Sequence, residues 1–240
     1  MVDAHPQTNP MSLLNIPPLE NGDRLSRVEF ERRYEAMPHV HKAELIEGLV
    51  YMPAALRFKS HGEPHSWMMT WLGVYAAMTP GVSVGDAPTV RLDLDNEPQP
   101  DAVLLIDAAA GGQSQLSEDD YIEGAPELVV EIAASSAAID LHAKKNAYRR
   151  NGVREYIVWQ VLDRRLDWFV LQGGDFTSLS GEGGIFKSKI FPGLWLAVDA
   201  LLAGTLQQVL AVVQEGCRSP DHEAFVVQLQ AYLAQGEGRA

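Results

Sequence analysis

Two stretches decide how this chain is read: Gln99-Pro100-Asp101-Ala102-Val103-Leu104-Leu105-Ile106 and Pro126-Glu127-Leu128-Val129-Val130-Glu131-Ile132-Ala133. Each is a short apolar run bounded by turn residues, the mark of a strand buried on both faces. Each also carries an acid. Asp101 stands at the start of the first run, and Glu131 stands inside the second. A carboxylate among apolar neighbours must be paired, protonated or bound to a metal. Ala137 to Arg150 then reads as a helix closed by Asn151-Gly152, and it brings Asp140 and Lys144. Glu155 to Val161 reads as a further strand.

Upstream, Ser26-Arg27-Val28-Glu29 has the pattern of a capping box and opens a short helix to about Ala36, ended by Pro38. Glu44 to Met52 reads as one strand with a turn or bulge at Gly48. His61 to Met78 is a helix whose Trp67, Met68, Trp71, Leu72, Tyr75 and Met78 recur at core spacing. Thr89 to Asp95 alternates as a half-buried strand, and Glu118 to Asp120 sit in a solvated loop. Downstream, Leu166 to Leu171 and shorter strands near Phe176 to Leu179 and Gly184 to Ile190 form a meander of hairpins. An amphipathic helix runs from Asp199, as N-cap, to about Glu215, and a last helix spans Glu223 to Leu233. This order predicts an α/β protein with a central mixed sheet flanked by helices and extra C-terminal helices. It divides into a flexible tail over 1–22, one domain over 23–216 and a helical extension over 217–240, which packs on the domain or on a partner chain.

The formal net charge of −13 disfavours unspecific attraction to DNA or to anionic membranes, although a local basic patch can oppose it. Cys217 is the sole cysteine, which rules out an intrachain disulfide and suits a reducing cytoplasm. No apolar run is long enough to span a bilayer, and the first residues lack the basic start and apolar core of a signal peptide.

An acid at one strand start, an acid within a second strand and a lysine one element later suit phosphodiester hydrolysis. That chemistry neutralises charge on phosphoryl oxygens and activates a water, work done by hard divalent cations on oxygen ligands. Parallel pairing of the two strands would bring Asp101 and Glu131 together. The carbonyl of Ile132 is a further candidate ligand. Plain structural readings stand beside these. Asp101 follows Pro100 as turn residues do. Asp140 and Lys144 are spaced as an ordinary helix salt bridge. Glu127 shares the parity of Glu131 and reads as an exposed strand start.

The ordered motifs resemble the large bacterial family of restriction endonucleases of the PD-(D/E)XK nuclease fold. The matching elements are Glu44-Leu45-Ile46-Glu47-Gly48, Pro100-Asp101, Pro126 to Ile132, the set Asp140, Lys144 and Tyr148, Gly152-Val153-Arg154-Glu155-Tyr156, and Pro192-Gly193-Leu194. The resemblance covers roughly Ser26 to Glu215. It implies a cytoplasmic, Mg²⁺-dependent endonuclease, with Mn²⁺ as substitute, DNA as partner, no membrane role and a homodimer as candidate assembly. It makes Asp101 and Glu131 the metal-binding acids, Glu44 an auxiliary acid, and Lys144 the motif lysine moved onto the following helix, since the parent position holds Ala133. His65 lies near the place where members carry a histidine at the start of the long helix. The chain departs from the family at Ala134-Ser135-Ser136-Ala137, at Gln160 and at Leu49. Those changes and the net charge keep an alternative open, a catalytically inactive member serving as a binding or regulatory module.

Overall fold

The computed structural model describes residues 16–53 and 55–237. Its centre is a six-stranded mixed sheet. The strands, in chain order, are β1 (Glu44–Ile46), β2 (Leu49–Tyr51), β3 (Val82–Asp86), β4 (Val90–Arg91), β5 (Ala102–Ile106), β6 (Gln115–Leu116), β7 (Ile122–Glu123), β8 (Leu128–Ala133), β9 (Glu155–Gln160), β10 (Arg165–Gln172), β11 (Asp175–Ser178), β12 (Ile185–Lys187) and β13 (Trp195–Ala197). The main sheet runs β11-β10-β9-β8-β5-β3. Within it only β8 and β9 are parallel, and every other neighbouring pair is antiparallel. The helices are α1 (Arg27–Glu35), α2 (Glu63–Ala77), α3 (Ala137–Ile139), α4 (Lys145–Asn151), α5 (Val198–Leu202), α6 (Leu206–Gly216) and α7 (Pro220–Glu237). Among the described residues no helix is long and apolar enough to cross a membrane.

Side chains alternate across a strand, so the runs Ala102 to Ile106 and Leu128 to Ala133 feed two cores. Leu104, Val130, Ile157, Trp159 and Trp168 point to one face, where α2, α6 and α7 cover them with Trp71, Val209 and Leu229. Val103, Val129, Val158 and Phe169 point to the other, against Tyr148 of α4. A third, smaller core joins Leu19, Phe30, Ala43, Leu45 and Val50. It docks on the rest through main-chain bonds between Leu45 and Glu97, at 3.1 and 2.8 Å.

Several local expectations are corrected. The expected capping box is not formed. Ser26 makes no side-chain cap bond, and the Glu29 carboxylate is held by Arg32 and Arg33 at 2.7 Å each. Glu44 to Met52 is a hairpin rather than one strand. Ile46 pairs with Leu49 across a two-residue turn in which Glu47 and Gly48 both take positive φ, 53° and 71°. The half-buried strand expected over Thr89 to Asp95 shrinks to Val90–Arg91, since Asp93 and Asn96 close a turn. Two π turns interrupt the helices. One, Phe58–Gly62, precedes α2, and the other, Asp140–Lys144, separates α3 from α4. The helix expected from Asp199 to Glu215 is broken at Gly204, whose φ is 78°. Of the expected tail, residues 1–15 lie outside the described residues, and Leu19 is buried beneath α1. The C-terminal extension packs on the domain. His222 is buried with its Nε2 2.9 Å from Thr79 Oγ1, and Leu229 belongs to the main core.

The third core positions Glu44 at the start of β1, and Phe30 is its largest fully buried side chain. Phe30→Ala is expected to cost about 3–5 kcal/mol in denaturant unfolding, the range for truncating a buried phenylalanine.

Candidate active site

β5 and β8 pair antiparallel with Ala102 opposite Val130. One step further along that register, Asp101 stands opposite Glu131. Alternation puts both on the face of Val103 and Val129, under α4. The two acids therefore meet through antiparallel register, not through the parallel pairing the sequence suggested. Ile132 takes part through its main-chain N–H, which donates to Asp101 Oδ2 at 2.7 Å.

The π turn delivers Asp140 and Lys144 into the same space, and one turn later Tyr148 follows. Lys144 Nζ lies 2.8 Å from Glu44 Oε1, 3.0 Å from Glu131 Oε1 and 3.7 Å from Asp140 Oδ1. Tyr148 donates its hydroxyl to Glu131 Oε1 at 2.9 Å. Glu44 Oε1 also accepts the N–H of Gln99 at 2.8 Å, which fixes the hairpin acid to the segment before β5. Ser136 donates to Asp140 Oδ2 at 2.6 Å, and Asp140 Oδ1 is buried without a hydrogen bond. The four predicted residues Asp101, Glu131, Lys144 and Glu44 thus line one cavity of about 660 Å³, together with Asp140 and Lys42.

Two further groups reach the site. His61, in the first π turn, is buried with its Nε2 3.1 Å from Asp101 Oδ1, and its Nδ1 is buried without a partner. Lys42 Nζ lies 3.5 Å from the same carboxylate oxygen. Sequence reasoning missed both. The signals were present in spacing alone: Lys42 is two residues before Glu44, and His61 is one helical turn before His65. His65 is placed differently from a ligand. Its Nε2 lies 2.8 Å from the Asp101 main-chain oxygen and 3.2 Å from Asp86 Oδ1, so it steadies the strand start. Glu127, expected to be exposed, is buried and accepts the N–H groups of Ile106 and Gln113 at 3.0 and 2.8 Å.

Charge is unbalanced here. Four carboxylates (Glu44, Asp101, Glu131 and Asp140) line the cavity with two ammonium groups (Lys144 and Lys42) and the exposed guanidinium of Arg57. Burial pushes the Asp101 carboxyl up, but the His61 hydrogen bond, the Lys42 charge and the Ile132 N–H outweigh it and bring it down to about 2. Burial drives Glu131 well above the usual carboxylate range. Lys144 offsets part of that rise, and Asp140, Asp101 and Glu44 add to it. Burial also raises Asp140. For Lys144, burial alone would favour the neutral amine. The acids Glu131, Glu44 and Asp140 overcome it and hold the ammonium charged. The surroundings thus favour the ionised form of Asp101, and burial works toward the neutral form of Glu131 and Asp140.

Among the described residues no three His, Cys, Asp or Glu side chains stand as a preformed metal cage. The donor set still fits Mg²⁺, which binds through one or two carboxylates and keeps water and substrate oxygens for its other positions. Asp101 and Glu131 supply two such carboxylates, and Glu131 Oε2 accepts no hydrogen bond among the described residues.

Comparison with known proteins agrees with this architecture. Residues 28–199 match the Uma2 family, described as "Putative restriction endonuclease", and the chain belongs to that family. A solved structure described as "a putative nuclease belonging to DUF820", from Anabaena variabilis, superposes with a TM-score of 0.53. The match covers 76% of this chain and 97% of that one at 10% identity, so the likeness is one of fold. The restriction-endonuclease-like fold expected from the motifs is borne out. No curated protein matches the chain.

Lys144→Met leaves buried acids without their cation and is expected to destabilise the protein by about 3–5 kcal/mol. Glu131→Gln puts a neutral amide where burial already pushes the carboxyl toward its neutral form, keeps the Tyr148 bond and is expected to leave stability equal or higher in the absence of metal. Urea unfolding of both variants beside the wild type checks the pair.

Proposed function

We propose that this chain is a Mg²⁺-dependent endonuclease that hydrolyses phosphodiester bonds in DNA. One observation carries the reading: an acid surplus converges on a single cavity, with Asp101 and Glu131 opposite each other on one sheet face. Family membership supports the same class of activity.

A divalent cation held by Asp101 and Glu131, with Mn²⁺ able to replace Mg²⁺, supplies charge neutralisation on the phosphoryl oxygens and lowers the pKa of a bound water. The Ile132 carbonyl is a proposed further oxygen ligand. The chain's own groups prepare the site. The Ile132 N–H and His61 hold the Asp101 carboxylate ionised and oriented. Lys144 and Tyr148 both donate to Glu131 Oε1 and would hold its carboxyl in place to receive a cation on the other oxygen. Glu44, fixed by Gln99, is the auxiliary acid behind Lys144. A duplex has two strands and one cavity serves one scissile phosphate, so a homodimer is the assembly this reading calls for. It also implies a cytoplasmic protein.

The test is cleavage of supercoiled plasmid and of duplex oligonucleotides in Mg²⁺ or Mn²⁺. Asp101→Asn is expected to lower the rate at least about a thousandfold, the scale on which loss of an electrostatic group at a reacting centre acts. Undiminished metal-dependent cleavage in this variant, with its fold retained, contradicts the assignment. If the folded wild type binds no Mn²⁺ at millimolar concentration by calorimetry, the non-catalytic binding module becomes the better reading.

A further inference from the structure

Lys144 is the lysine that the motif offers for the reaction, yet its ammonium is already committed. It is 4% exposed, hydrogen-bonded to Glu131 and in ion-pair contact with Glu44 and Asp140. Three acids surround a group that has three N–H donors. An incoming phosphate would have to break one of these contacts in a place almost closed to water. Lys144 therefore serves to hold the acids together, and a substrate anion needs another cation.

We propose that Lys42 is the phosphate-binding group of the site, an inference that rests on the hydrolase reading above. Lys42 lines the same cavity, and its side chain is 26% exposed where that of Lys144 is 6%. Among the described residues its one acidic neighbour is Asp101 Oδ1, at 3.5 Å, a loose contact compared with those of Lys144. That carboxylate is independently held by Ile132 and His61, so it does not need Lys42 to stay in place. A divalent cation on Asp101 would weaken the attraction that holds Lys42 there. A phosphodiester oxygen then becomes its natural partner, met by a flexible ammonium as a point charge. Arg57 lines the cavity too, but it is exposed, and among the described residues no ion pair brings it to the acids as Lys42 is brought to Asp101. The net charge of −13 sharpens the need for such a cation, because the rest of the surface does little to attract a nucleic acid.

The experiment uses the full chain, with Ca²⁺ in place of Mg²⁺ so that binding is read apart from cleavage. Fluorescence anisotropy follows a short single-stranded thymidine oligonucleotide, and ³¹P NMR follows inorganic phosphate. Lys42→Ala is expected to weaken oligonucleotide binding about tenfold, with the slope of log K against log salt shallower by about 0.7, the loss of one phosphate contact. Lys42→Arg is expected to recover most of the affinity. Phosphate broadening seen with the wild type is expected to disappear in Lys42→Ala, while its thermal unfolding matches the wild type. Equal binding of both probes by wild type and Lys42→Ala overturns the proposal, and so does a wild type that binds neither. Phosphate binding lost in Lys42→Ala, in a protein that neither binds nor cuts oligonucleotides, upholds the anion site and removes the nuclease reading instead.

Discussion

The Lys144 ammonium sits within 4 Å of three carboxylates: Glu44 on the β1–β2 hairpin, Glu131 in β8 and Asp140 at the start of its own π turn. Nearly out of water, it is the point where the small N-terminal core, the main sheet and the helix that follows β8 are tied together. A buried ion pair of this kind is weak evidence for net stability, because desolvation offsets most of the attraction. Breaking it is another matter, since three acids would be left to repel one another in a low-dielectric space. The interaction fixes geometry, and the rest of the site depends on that geometry.

One lysine cannot balance three acids, and Asp101 adds a fourth. The surroundings treat two of these acids in opposite ways. Asp101 is held ionised by donors from His61 and Ile132, and Glu131 is pushed toward the neutral form by burial. Two carboxylates that differ in this way, opposite each other on adjacent strands, form a site with standing demand for positive charge. A divalent cation, as proposed, would satisfy that demand without rebuilding the sheet. The cavity beside them has room for the water and substrate oxygens that a proposed Mg²⁺ would need, because that ion seldom takes all its ligands from protein.

How much of this could be read beforehand varied by residue. The strands of Asp101 and Glu131 were legible because an acid inside an apolar run stands out. Their pairing was not, because nothing local distinguishes parallel from antiparallel when a neighbour in the sheet lies some thirty residues away. Glu44 came from likeness to a family rather than from its own surroundings, since its partner Lys144 is a hundred residues distant. Both π turns were invisible: each is a single turn of five residues, too short to carry an apolar repeat of its own. Those turns carry His61, Asp140 and Lys144, so the least legible backbone feature supplies much of the site. The Glu47-Gly48 turn was blurred for a related reason, because a glutamate at positive φ is not the residue that such a turn advertises. Glu127 read as exposed, since the main-chain groups of Ile106 and Gln113 that bury it come from outside its own strand.

Anomalous diffraction from crystals soaked in millimolar Mn²⁺ tests the central claim most directly, since it asks whether the acid surplus is a metal site at all. The account predicts one strong peak in the cavity, within coordination distance of Asp101 and Glu131 carboxylate oxygens, with Lys144 still against Glu44. Well-ordered crystals showing no peak there, or a peak only elsewhere on the surface, would contradict it.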